Sequence, residues 1–138
     1  MNEDHPALVA SRSSWRCVQT HDKQGWLDLM AEDVCVEDPI GLAPTNPDGK
    51  GVRGKAALAE FYDANIANNE LRVECHDSYV SSSPNEVAHV LTLHNAFPNG
   101  VKSSVKTIVC YRVNDEGKIV ALRSYWTMDS MNFEQPEG

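Results

Sequence analysis

The chain has 138 residues, 41% of them apolar and 23% charged, which suits one domain with one core and excludes a globally disordered polypeptide. Its net charge of -8, with no run of Lys or Arg, excludes the concentrated basic surface that a phosphate backbone requires, so no nucleic-acid partner is expected. No apolar stretch approaches the roughly 20 residues needed to span a bilayer.

The N-terminus, Met1-Asn2-Glu3-Asp4-His5-Pro6, is acidic and lacks the apolar core and cleavage pattern of a secretory signal, so the chain reads as cytoplasmic. From Pro6 to Thr20, the residues Leu8, Ser11, Ser14, Trp15 and Val18 recur at helical spacing, and Pro6 suits a first helical turn. The pattern breaks at His21-Asp22, where Asp22 can cap a second, short helix carrying Trp26, Leu27 and Met30 on one face. A strand then runs to Val34-Cys35-Val36-Glu37-Asp38-Pro39. Alternation puts Val34, Val36 and Asp38 on its buried face, so Asp38 closes an apolar row where Pro39 stops the strand. A carboxylate so placed either finds hydrogen bonds at the strand end or sits poorly solvated and ready to accept a proton. The segment from Leu42 to Gly54, rich in Pro and Gly, fits neither period; it is long enough for a lid or rim and reads equally as a surface excursion.

A third helix is predicted from Lys55 to about Asn68, with Ala57, Leu58, Phe61, Tyr62 and Ile66 on its inner side. Everything after Glu70 reads as strand, near residues 71–81, 86–97, 101–113 and 118–128, with turns at Ser83-Pro84-Asn85, Pro98-Asn99-Gly100 and Asn114-Asp115-Glu116-Gly117. The polar tail from Asp129 is expected to fray. Three helices followed by consecutive hairpin strands make a single α+β domain over residues 1–138, its helices covering one face of a curved antiparallel sheet. Strand alternation puts Val105, Thr107, Val109, Tyr111 and Val113 on the covered face, together with Val120, Leu122, Ser124, Trp126 and Met128. Asp38, Val109, Leu122 and Trp126 then border one apolar cavity suited to a flat hydrophobic ligand. The strand near 86–97 is apolar on both faces, Leu91 and Leu93 against Val90 and Ala96. An outer face carrying Leu91, Leu93, Ile108, Cys110 and Tyr125 is apolar enough to predict a homodimer. His89 and His94 fall on opposite faces, Cys75 and His76 also diverge, and no metal or cofactor is expected. Cys17, Cys35, Cys75 and Cys110 show no CxxC spacing and are expected as reduced, mostly buried thiols.

The segment Val36-Glu37-Asp38-Pro39-Ile40-Gly41, preceded by Met30-Ala31-Glu32-Asp33, resembles the steroid Δ5-isomerases (ketosteroid isomerases) of the nuclear-transport-factor-2-like, or SnoaL-like, superfamily. Leu58-Ala59-Glu60-Phe61-Tyr62 and the stretch from Gly117-Lys118-Ile119 to Tyr125-Trp126 agree, so the resemblance runs from about Ser14 to Trp126. It implies a conical α+β barrel around a deep apolar pocket, a steroid-like ligand, a dimer through the outer sheet face, and Asp38 as the base that moves a proton between two carbons of a 3-keto steroid. An ungapped count places Ser14 where the family has an oxyanion-hole tyrosine, and Val109 where it has a protonated aspartic acid. Loss of one such donor costs about 10²–10³ in rate, so a non-standard donor set is expected. Its candidates are Ser14 itself, Tyr62, which matches a family active-site tyrosine, Tyr111, and His94, which a count back from Gly100 turns toward the pocket. Trp15, Met30, Phe61, Leu122 and Trp126 complete the expected wall. Three functions follow: an isomerase using Asp38, Ser14 and Tyr62; a steroid or polyketide carrier without efficient turnover; or a SnoaL-like cyclase or dehydratase, which needs His94 beside Asp38.

Overall fold

Pro6 opens α1 (Pro6–Gln19), where its missing N–H costs nothing, and a stripe of small residues including Ala7, Ala10, Ser11 and Ser14 buries that helix against the sheet. The computed structural model describes residues 5–136; the acidic residues 1–4, expected to carry no secretory signal, lie outside the described residues. The Asp22 carboxylate accepts from the Gly25 N–H and caps α2 (Lys23–Asp28). That helix is only six residues long, so Met30 begins β1 (Met30–Glu37) instead of lying on the helix face.

The segment after β1 is pinned from within. Asn46, 2% exposed, donates to the Pro39 carbonyl and accepts from the Gly51 N–H, both at 2.9 Å. It leads into a two-residue strand, β2 (Val52–Arg53), which pairs with β1. Then come α3 (Lys55–Asn65), β3 (Glu70–Val80), β4 (Glu86–Ala96), β5 (Lys102–Val113) and β6 (Ile119–Tyr125). The tail does not fray: after a 3-10 turn at Met128–Ser130, β7 (Asn132–Glu134) pairs with Lys102–Ser104 of β5. Pairing between β5 and β6 stops at Ile108, which leaves the start of β5 with unpaired backbone groups, and the tail satisfies them.

The described residues thus form three helices and a curved seven-stranded sheet ordered β2-β1-β6-β5-β4-β3, with β7 beside β5. The sheet does not close into a barrel, and one of its pairings, β1 with β6, is parallel. Leu8, Met30, Val34, Leu58, Val113 and Ile119 are fully buried between helices and sheet, each contributing about 1.5–3 kcal/mol by burial. A register shift between Arg112 and Val113 buries Ile119 rather than Val120 at the start of β6.

The inward face of β4 is the reverse of the expectation. His89 pairs with Val109, Leu91 with Thr107 and Leu93 with Val105, so these residues point inward. His94 points outward, with Nε2 2.9 Å from a Glu74 carboxylate oxygen. A strand apolar on both faces has no phase of its own; its register is set by the neighbours it pairs with. The outer face keeps Ile108, 48% exposed, and Tyr125, 55% exposed, but loses Leu91 and Leu93 to the interior. All four cysteines are free; Cys17, Cys35 and Cys110 are half-buried and Cys75 is exposed. Among the described residues no helix is long and apolar enough to cross a membrane.

Candidate active site

The helix-covered face of the sheet encloses a cavity of about 380 Å³. Asp38 stands in its wall because the chain is tied on both sides of it. The Ile40 N–H donates to the Ser124 carbonyl at 3.0 Å, and the Thr45 hydroxyl donates to the carbonyl of Asp38 itself. Leaving the end of β1 on the face of Val34 and Val36, the Asp38 side chain meets Trp126, whose indole N–H donates to Oδ1 at 2.7 Å. Burial raises the carboxyl above its ordinary range, while hydrogen bonds from Trp126 and Ser124 restrain the rise. A carboxylate so raised holds a proton more firmly than one in water and is the better base.

A chain of hydroxyl and indole groups faces it. Successive positions of α1 deliver Ser14 and Trp15; Trp26 comes from α2 and Tyr111 from β5. The Trp26 indole donates to Ser14 Oγ at 3.2 Å, and the Trp15 indole donates to the Tyr111 hydroxyl oxygen at 2.9 Å. The Ser14 hydroxyl also bonds to Tyr111. The phenolic oxygen therefore receives the Trp15 indole proton, and its own O–H is a donor that Ser14 Oγ or a ligand oxygen can accept. Burial first, and then the charge of Asp38, push the Tyr111 pKa well upward, so the group stays protonated and acts as a donor. Behind these rings lies His89, fully buried, with its ring centre 4.6 Å from Trp15 and 5.9 Å from Tyr111. Its nitrogens bond to Ser11 Oγ at 2.9 Å and Ser78 Oγ at 2.7 Å. Burial, helped by the charge of Arg12, pushes its pKa down to about 4.

Among the expected site residues, Ser14, Trp15, Phe61, Val109, Tyr111, Leu122 and Trp126 line the cavity with Asp38. Met30, 2% exposed, is core behind it. Tyr62 is also outside the lining: its ring packs 5.6 Å from Trp26, and the Lys23 ammonium sits 5.9 Å from the ring centre. His94 is on the opposite face of the sheet, so no His94–Asp38 pair forms. Sequence reasoning missed Trp26, placed only as a helix-face residue, the inward Leu91 and Leu93, and Asn95, Ser103, Met131 and Phe133 toward the rim. The inward row of β5 extended back from Val105 would have found Ser103. Among the described residues no group of three or more His, Cys, Asp and Glu is placed to hold a metal ion.

Solved structures with the same architecture include a Δ5-3-ketosteroid isomerase from a Mycobacterium species, at 58% identity over 94% of this chain and 98% of that one, with a TM-score of 0.92. The RV0760c protein of Mycobacterium tuberculosis, in complex with estradiol-17beta-hemisuccinate, is 54% identical over 92% of this chain and 98% of that one, with a TM-score of 0.90. A computationally designed 17-OHP binder is 51% identical over 94% and 98%, with a TM-score of 0.92. The model of the SnoaL-like domain matches residues 12–122, and with that span and these architectural matches the chain belongs to the SnoaL-like family, of the nuclear-transport-factor-2-like fold.

Proposed function

We propose that the cavity takes a steroid-like 3-ketone and moves a proton within it, converting a Δ5 into a Δ4 double bond, with Asp38 as the base. One juxtaposition carries this reading: a desolvated carboxylate and a buried, protonated phenol share an apolar cavity. The ketone oxygen accepts from Tyr111. Asp38 takes a proton from the carbon between the ketone and the double bond, and the electron pair moves onto the oxygen as an enolate. The neutral Asp38 then returns the proton to the far carbon of the former double bond. One C–H bond breaks, another forms, and nothing is consumed. Ser14 takes part by polarising Tyr111, and Tyr62, outside the cavity, takes none.

The isomerase, the estradiol-17beta-hemisuccinate complex and the 17-OHP binder similar to this chain support the ligand class. A second reading, a steroid carrier with negligible turnover, is favoured by Ser14 and Val109 standing where the family keeps its donors. The test is the growth of conjugated-enone absorbance from a Δ5-3-ketosteroid. Wild type should turn over, and Asp38→Asn should lose about 10²–10⁴-fold in rate with little change in affinity. Tight binding without turnover in wild type, unimproved by Val109→Asp, favours the carrier. We further propose a homodimer through the outer face around Ile108 and Tyr125. Sedimentation at micromolar concentration should show twice the chain mass, and a purely monomeric species refutes it.

A further inference from the structure

The cavity turns polar a second time, on a row remote from Asp38. Leu71, Asn95, Ser103 and Phe133 are successive cross-strand partners on β3, β4, β5 and β7, and all four line the cavity. Asp38 is bonded by Ser124, the partner of Val109 on β5. Ser103 precedes Val109 by six positions, so the row lies ~20 Å along the strand from the base. Leu91, Leu93 and Val105 separate the two polar zones.

Neither polar side chain of that row has a job inside the protein. Ser103 is 8% exposed and its hydroxyl bonds to no described residue. Asn95 Oδ1 is buried with no hydrogen-bond partner. With its oxygen buried, Asn95 offers the opening its NH₂ group, and the Ser103 hydroxyl beside it can donate as well as accept. The same row, from Leu71 to Ser103, also borders a second cleft of about 410 Å³, which carries Arg72, His94 and Lys102 as well as Glu70 and Glu134. That cleft lies on the outer face of the sheet, where His94 points, so Asn95 and Ser103 are the polar side chains of this row that face the cavity.

We propose that Asn95 and Ser103 form a second recognition site, for an acceptor oxygen on a side chain at the end of the ligand remote from Asp38. The preferred ligand is a four-ring ketone with an oxygen-ended tail, because the run from base to rim exceeds the ring system alone. This rests on the steroid-like reading above.

The test compares two 3-ketosteroids with C17 side chains of equal length, one ending in a carboxyl group and the other in a methyl group. Trp15, Trp26 and Trp126 line the cavity, so quenching of intrinsic fluorescence reports both dissociation constants. In wild type the carboxyl-ended ligand should bind about tenfold tighter or more, the size of a hydrogen bond to a charged group. Asn95→Leu combined with Ser103→Ala should bring the two dissociation constants together and so lose the preference. Equal affinities in wild type, a comparison that needs no variant, overturn the rim site and leave the Asp38 reading standing. A preference that survives the double substitution has its source outside Asn95 and Ser103 and overturns the proposal. Failure to bind either steroid overturns the ligand class and the rim site together.

Discussion

Replacing His89 by Gln should remove a large part of the acid sensitivity of this fold. His89 titrates at about 4 instead of its ordinary 6.5, because protonation would put a charge into a fully buried ring between Ser11 and Ser78. The folded-state value is depressed, so the stabilisation is whole above pH 6.5 and is lost as pH falls toward 4, where the unfolded chain takes up a proton that the native one refuses. A tenfold change in proton affinity is worth ~1.4 kcal/mol, so the fall from 6.5 to about 4 amounts to about 3 kcal/mol. Glutamine can keep hydrogen bonds to both serines while carrying no titratable proton, although the loss of ring contacts with Trp15 will lower its stability near pH 7. Urea unfolding followed by circular dichroism, at several pH values across the window, gives both curves. Carboxylate titrations are common to the two proteins and cancel in the difference. Wild type should lose about 3 kcal/mol more than His89→Gln across the window. Parallel curves would refute the claim that His89 is neutral and buried in the native state.

Asp38 should act with the opposite sign: burial raises its folded-state pKa, so its contribution is whole at low pH and is lost as pH rises through the folded value. Asp38→Asn should therefore melt above wild type at neutral pH, with the gap closing toward acid, as calorimetry can record. Tyr111→Phe should lower the isomerisation rate by about 10²–10³-fold while steroid affinity falls far less, a split that steady-state kinetics reads directly. Gly51→Ala places a Cβ 2.9 Å from Cys35 Sγ on a backbone with φ of +83°, and should cost about 2 kcal/mol or more in urea unfolding. Leu58→Ala, at a fully buried position of α3, should cost about 2–5 kcal/mol by the same measurement.

What the sequence revealed depended on local contrast. Asp38 was legible because a carboxylate interrupts a row of valines at a proline, and the β5 face was legible because Ser104, Lys106 and Arg112 oppose Val105, Val109 and Tyr111. The face of β4 carried no such contrast, and His94 was misplaced with it. Tyr62 and Tyr111 both sit among apolar neighbours; only the packing of Trp26 between Tyr62 and the cavity, and the indole bond onto Tyr111, separates them. β7 is three exposed residues in a polar tail, and its strand exists because β5 has free backbone to offer. The parallel pairing of β1 with β6 left no mark on either segment.

That pairing bears on how the protein is made. Until β6 is available, β1 has only the two residues of β2 to pair with, and Trp126, the indole that holds the Asp38 carboxylate, lies 88 positions away in the chain. Contacts so distant in sequence are slow to form, because the loop between them must be ordered first. A nascent chain still lacking its last hairpin therefore presents the Val34–Val36 row as an open strand edge, vulnerable to pairing with another copy. Asp38 then reaches its pocket only late in folding, so partly folded molecules should lack any Asp38-dependent turnover and be prone to aggregate.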